Sequence, residues 1–254
     1  MNGEIYQICK IVSSVKMALQ NSSTLSYVPL QYEGKLEFSF LPSKGLFRKK
    51  EYKAKDIHDW YHHCKELGLI NIKCLVPLSV NKRSLLGFSN TTQSCIVCFY
   101  DNRTTYFTAR WDFDAAKSMW HILYTEHEWA TAPVSPLHFE NTTESFKKIL
   151  LQIRTFADEI GFESFANIFQ NAHNILSGTA DYTYGDIPFP EMPEANLRLF
   201  KAASTADVFG AMGSWNDSPP YAAHEKGLDT EYESLSDELL MQVRLAILYA
   251  VNEW

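Results

Sequence analysis

After about position 140, apolar residues recur only at helical spacing. Runs rich in β-branched and aromatic residues occur only before about position 112. This segregation constrains the fold most, because it excludes the strand-helix alternation that a doubly wound parallel sheet needs. It predicts an α+β chain: an antiparallel sheet built from two hairpins with interleaved helices in the N-terminal half, packed against an all-helical C-terminal half. The segment ATAPVSPLHFENTT has two prolines and little periodicity, and it marks the boundary. Residues 1–130 are expected to be the mixed subregion and 131–254 the helical one, packed together as one compact unit.

Ile5, Ile8, Cys9, Val12, Val15 and Leu19 form one stripe and predict a helix over 4–20. SYVPLQ and KLEFSF flank YEG. With Gly34 left-handed in a three-residue loop, Leu30 faces Leu36, Val28 faces Phe38, and the apolar residues share a side. A helix is expected over 55–67, stopped by Gly68, and INIKCLVPL reads as a short strand ended by Pro77. QSCIVCFYDNRTTYFTARW predicts a second hairpin. Its turn is centred on Asn102-Arg103, which pairs Cys98 with Phe107 and Ile96 with Ala109. Asp112 or Asp114 is then expected to cap a helix over 114–129. Beyond the boundary, helices over 143–160 and 162–176 meet Gly161 and Gly178, and another covers 194–209. A long loop leads to a last helix with Thr230 and Glu233 as a capping box.

The 254 residues are 46% hydrophobic, 21% charged and 14% aromatic, enough to bury a core without staples. The net charge of −7 argues against nucleic-acid or anionic-membrane partners, which need a basic face. RKKEYKAK, residues 48–55, is the local basic exception and reads as a solvated loop before a helix. The first twenty residues lack the continuous apolar core of a signal peptide, and no apolar run is long enough to span a membrane. Five scattered cysteines fit reduced thiols, and a cytoplasmic location is the expectation.

Little in the chain looks like chemistry. HDWYH, His58 to His62, sits close to the zinc-protease pattern and places two histidines one helical turn apart. Asp59 is shorter than the glutamate that pattern needs, and a third ligand is missing unless Glu126, His127 or Glu128 supplies it in space. Ile57, Tyr61, Cys64 and Leu67 make an ordinary core stripe of the same helix. No metal or cofactor is therefore assigned, and His58 and His62 remain only metal candidates. Cys95 and Cys98 lie three apart in a predicted strand, so they face opposite ways and suit neither zinc nor redox work. HILYTEHEW gathers His121, Glu126, His127 and Glu128, but His127 continues an apolar stripe. GAMGSW lacks the strand-loop-helix setting of a phosphate cradle. The segment around it offers a different site: Trp215, braced by Gly210 and Gly213 and flanked by Ser214, Asn216 and Asp217, as a partner or ligand contact. The competing expectation is that Trp215 plugs a gap between helices.

These features favour a non-enzymatic protein that binds a basic protein partner, as an immunity, antitoxin or inhibitor protein does. The alternatives are a metal-dependent hydrolase using His58 and His62, and a small-ligand binding module with a pocket between sheet and helices.

Overall fold

The structure is a computed structural model and describes residues 1–42, 51–130, 137–182 and 188–254. The basic stretch at 48–55 is thus partly outside the described residues. The fold is α+β, with a six-stranded, mostly antiparallel sheet in the N-terminal half and helices in the C-terminal half. The described chain divides into two compact units: Gln7–Leu75 with Gln93–Leu137, and Met1–Tyr6 with Val76–Thr92 and His138–Trp254. No helix among the described residues is long and apolar enough to cross a membrane.

The first of these units holds the sheet. Its elements are α1 (Gly3–Gln20) beyond its first turn, β1 (Glu33–Ser39), β2 (Lys53–Ala54), α2 (Ile57–Glu66), β3 (Leu69–Leu75), β4 (Cys95–Tyr100), β5 (Thr104–Asp114) and β6 (Met119–Glu128). The strand order is β2-β1-β6-β5-β4-β3; β1 and β6 run parallel and every other pair is antiparallel. Phe38 of β1 stacks between Trp60 of α2 at 4.6 Å and Tyr124 of β6 at 5.0 Å, and Phe107 meets Phe38 and Trp60 edge-on. The aromatic content of the chain is spent here on core.

Two sequence expectations give way in this unit. The segment 114–129 is not a helix: it holds the end of β5, a turn and the strand β6 (Met119–Glu128). Ile122, Tyr124 and Glu126 are buried while His121, Leu123 and Thr125 are exposed, a period of two that β5 completes with a ten-pair antiparallel ladder. Asp114 does act on free N–H groups, but those of Ala116 and Lys117, where it closes the turn into β6. The first hairpin is also absent. Residues before Glu33 form no strand, Val28 is exposed, and β1 pairs instead with the distant β6. Pro29 carries no N–H for a ladder. Gly34 serves a close approach rather than a left-handed turn: a Cβ there would lie 2.8 Å from that of Met119, at a bulge where the β1–β6 register shifts. The β4–β5 hairpin forms as expected, but its turn centres on Asp101-Asn102. Tyr100 N–H donates to the Arg103 carbonyl at 2.9 Å, so Ile96 faces Phe107 and Cys98 faces Thr105. A slip of two residues leaves every side chain on its predicted face.

Glu33 is buried in this unit, and the Tyr27 hydroxyl donates to its two oxygens at 2.9 and 3.0 Å. Burial is the main cause that pushes its carboxyl above the ordinary value of 4.5. Folded Glu33 therefore keeps a proton at pH values where the unfolded chain has lost it. The folded state binds more protons in the window above 4.5, so stability falls as pH rises through it. Glu33→Gln is expected to flatten that decline in a series of urea midpoints taken across the window. An unchanged slope in the variant would place the effect on another group.

The second unit contains a 3-10 turn at Arg83–Gly87 and the helices α3 (Thr143–Glu159), α4 (Glu163–Leu176), α5 (Glu194–Ala206), α6 (Pro219–Glu225) and α7 (Asp229–Asn252). Gly161 and Gly178 take φ of +87° and +74° just past α3 and α4, where a left-handed residue ends a helix without a Cβ clash. α3 packs on α4 and α7, and α5 on α4 and α7. The expected capping box is not made. α7 has no side-chain cap bond, and Glu233 accepts from Arg83 at 2.6 Å because the 3-10 turn brings that guanidinium within reach. The five cysteines form no disulfide.

Candidate functional site

The sequence candidates separate in space. Trp215 is fully buried: its ring meets Phe165, Phe169 and Tyr232 at 5.2, 5.3 and 5.6 Å, and its indole N–H donates to Ser236 Oγ at 2.8 Å. Its neighbours make the knot that seats it. Ser214 Oγ donates to the Gly210 carbonyl at 2.9 Å, Gly213 N–H to Asp217 at 2.8 Å, and Asn216 N–H to Ser214 Oγ at 3.2 Å. Gly213 takes a φ of +78°. Of the six, Asn216 lines a cavity, one of about 320 Å³ that it shares with Arg83, Tyr232 and Glu233. Arg83 is already clamped there between Glu233 and Asp237.

His58 and His62 both lie exposed on α2, and His62 faces Glu66 at 3.6 Å. Among the described residues, no three histidine, cysteine or acidic side chains cluster as a metal set. The acid-histidine run of β6 is divided by the strand pleat. Glu126 points inward, while His127 stacks on Tyr106 at 5.1 Å and bonds Thr108 Oγ1 at 2.9 Å. Cys98 and Tyr100 hold their protons tightly because burial raises both groups, so neither is a ready nucleophile.

Glu126 carries the more telling geometry. It is 2% exposed and lines a cleft of about 340 Å³ in the sheet unit, together with Phe40, Leu41, Tyr52, His63 and Arg103. Its Oε2 accepts from the Leu41 N–H at 2.8 Å. Its Oε1 is buried and has no hydrogen-bond partner; the nearest cation is Arg103 Nη2 at 3.9 Å, outside bonding range. Arg103 lies over the Tyr100 ring, 4.9 Å from its centre, which fixes the guanidinium at the cleft.

The facing wall is aromatic. The Tyr52 and His63 rings lie 3.9 Å apart, tilted by 31°, and Phe40 meets both edge-on at 5.5 and 4.7 Å. The Tyr52 hydroxyl donates to Asp59 at 2.7 Å, and that bond, more than burial, pushes the phenol up to about 12. The same bond holds the Asp59 carboxyl below its usual range. The Tyr52 hydroxyl is thus engaged by Asp59. Sequence reasoning named Glu126 only as a spare metal ligand or acid-base group. The signal that identifies it is alternation: Trp120, Ile122, Tyr124 and Glu126 form one inward stripe, and a carboxylate at the end of it is out of place. No family model, curated protein or solved structure matches this chain, so what the cleft does rests on its own geometry.

Proposed function

We propose that this chain is a small-ligand binding module and that the Glu126 cleft is its site. The observation that supports the reading is the orphaned Glu126 Oε1. Leaving a buried acceptor unbonded costs about 1–3 kcal/mol, more when it is charged. A ligand N–H at that atom would recover the cost on binding, and this is what supports reading the cleft as a binding site. The aromatic wall, with Arg103 opposite and Glu51 held by Ser39 and Lys53, matches the usual make-up of such sites: apolar surface with a few placed polar groups.

The test is a ligand-observed NMR screen of small planar polar fragments against the full chain and Glu126→Gln, with thermal midpoints for both. Glutamine keeps an acceptor for Leu41 N–H and removes a buried charge. Its midpoint is expected to equal or exceed that of the native chain while fragment binding is lost. A clearly lower midpoint, with no fragment perturbing the cleft of the native chain, would make Glu126 a structural residue and end this reading.

A further inference from the structure

We infer that the cleft takes a planar lactam heterocycle, a flat ring bearing an N–H beside a C=O. This inference rests on the cleft being a ligand site. Two groups of opposite character line the cleft without a hydrogen bond to each other: Glu126, whose Oε1 accepts, and Arg103, whose Nη2 donates, 3.9 Å apart. The other carboxylate of the lining, Glu51, is already engaged, accepting from Ser39 Oγ at 2.6 Å and pairing with Lys53 at 3.6 Å. An ammonium or amidinium ligand would satisfy Glu126 but set a second cation beside Arg103. A carboxylate or phosphate would satisfy Arg103 but face Glu126. A neutral lactam edge satisfies both at once, its N–H donating to Oε1 and its carbonyl accepting from the guanidinium. The Tyr52, His63 and Phe40 rings line the cleft together, and an aromatic wall favours a flat ring. The volume of about 340 Å³ lies at the small end of ligand pockets and admits one or two fused rings.

The experiment is calorimetric titration of the full chain, with chemical shifts read at the cleft. The probes are quinazolin-4-one, its 3-methyl derivative and benzamidine. Quinazolin-4-one is expected to bind. Blocking its N–H with the methyl group is expected to weaken binding by roughly tenfold or more, the effect of one hydrogen bond to a charged group. Glu126→Gln and Arg103→Gln are each expected to weaken quinazolin-4-one by a similar factor. Inosine and a short inosine-containing single strand carry the same edge. Binding of the nucleoside alone assigns the ligand to free small molecules, and binding of the strand assigns it to single-stranded nucleic acid. Binding of benzamidine but not of quinazolin-4-one would overturn the lactam and leave the cleft as a ligand site. Equal binding of the methylated and unmethylated rings would also overturn it. Failure of all probes and of the fragment screen together would overturn both.

Discussion

Trp215→Ala is expected to cost the helical unit about 3–5 kcal/mol, the range for truncating a core tryptophan. Such a loss is a large part of the roughly 5–15 kcal/mol that holds a domain folded. The ring is fully buried against Phe165, Phe169 and Tyr232. Truncation therefore leaves a cavity and strands the Ser236 hydroxyl that accepts the indole N–H. The Tyr232 hydroxyl donates to the Trp215 carbonyl at 2.7 Å, so the damage spreads into the first turn of α7. Urea denaturation followed by the fluorescence of the remaining tryptophans measures it. An unchanged midpoint, with a binding activity lost, would return Trp215 to the role of a contact residue.

The second large effect concerns α7. Leu239, Val243, Ala246, Ile247, Ala250 and Val251 are wholly buried, and the helix packs on both α3 and α5. Leu239→Ala should destabilise by about 2–5 kcal/mol. Removing residues 230–254 uncovers the apolar faces of α3 and α5 together, and exposed patches of that kind drive aggregation. The truncated chain is expected in the insoluble fraction. Recovering it soluble, with the native melting temperature, would show that α7 is dispensable to the core.

The longer helices after position 140 were legible because their information is local, whereas the short α6 (Pro219–Glu225) lies in the segment expected to be a loop. A repeat of 3.6 marks the buried stripe, and Gly161 and Gly178 mark the stops. The β4–β5 hairpin was legible for the same reason, although turn geometry alone decided its register. β6 was not. Its apolar residues fit a helical stripe through Met119, Leu123 and His127 as well as a strand through Ile122 and Tyr124. Pairing with β5 settled which period applied. The expected first hairpin failed because β1 found its partner some 85 positions along the chain, and no local pattern announces a parallel pair.

The sequence by itself determined the segregation of strands from helices, most helix ends, and the faces of the β4–β5 hairpin. Each follows from backbone geometry and burial over a few adjacent residues. Tertiary structure alone decided the strand order, the burial of Trp215, and the cleft. Phe40, Tyr52, His63, Arg103 and Glu126 come from five separate segments. Only the parallel pairing of β1 with β6 brings Leu41 N–H to Glu126 and leaves the second carboxylate oxygen without a donor. An unmet hydrogen bond is a property of a finished fold, set by which distant groups arrive and which do not.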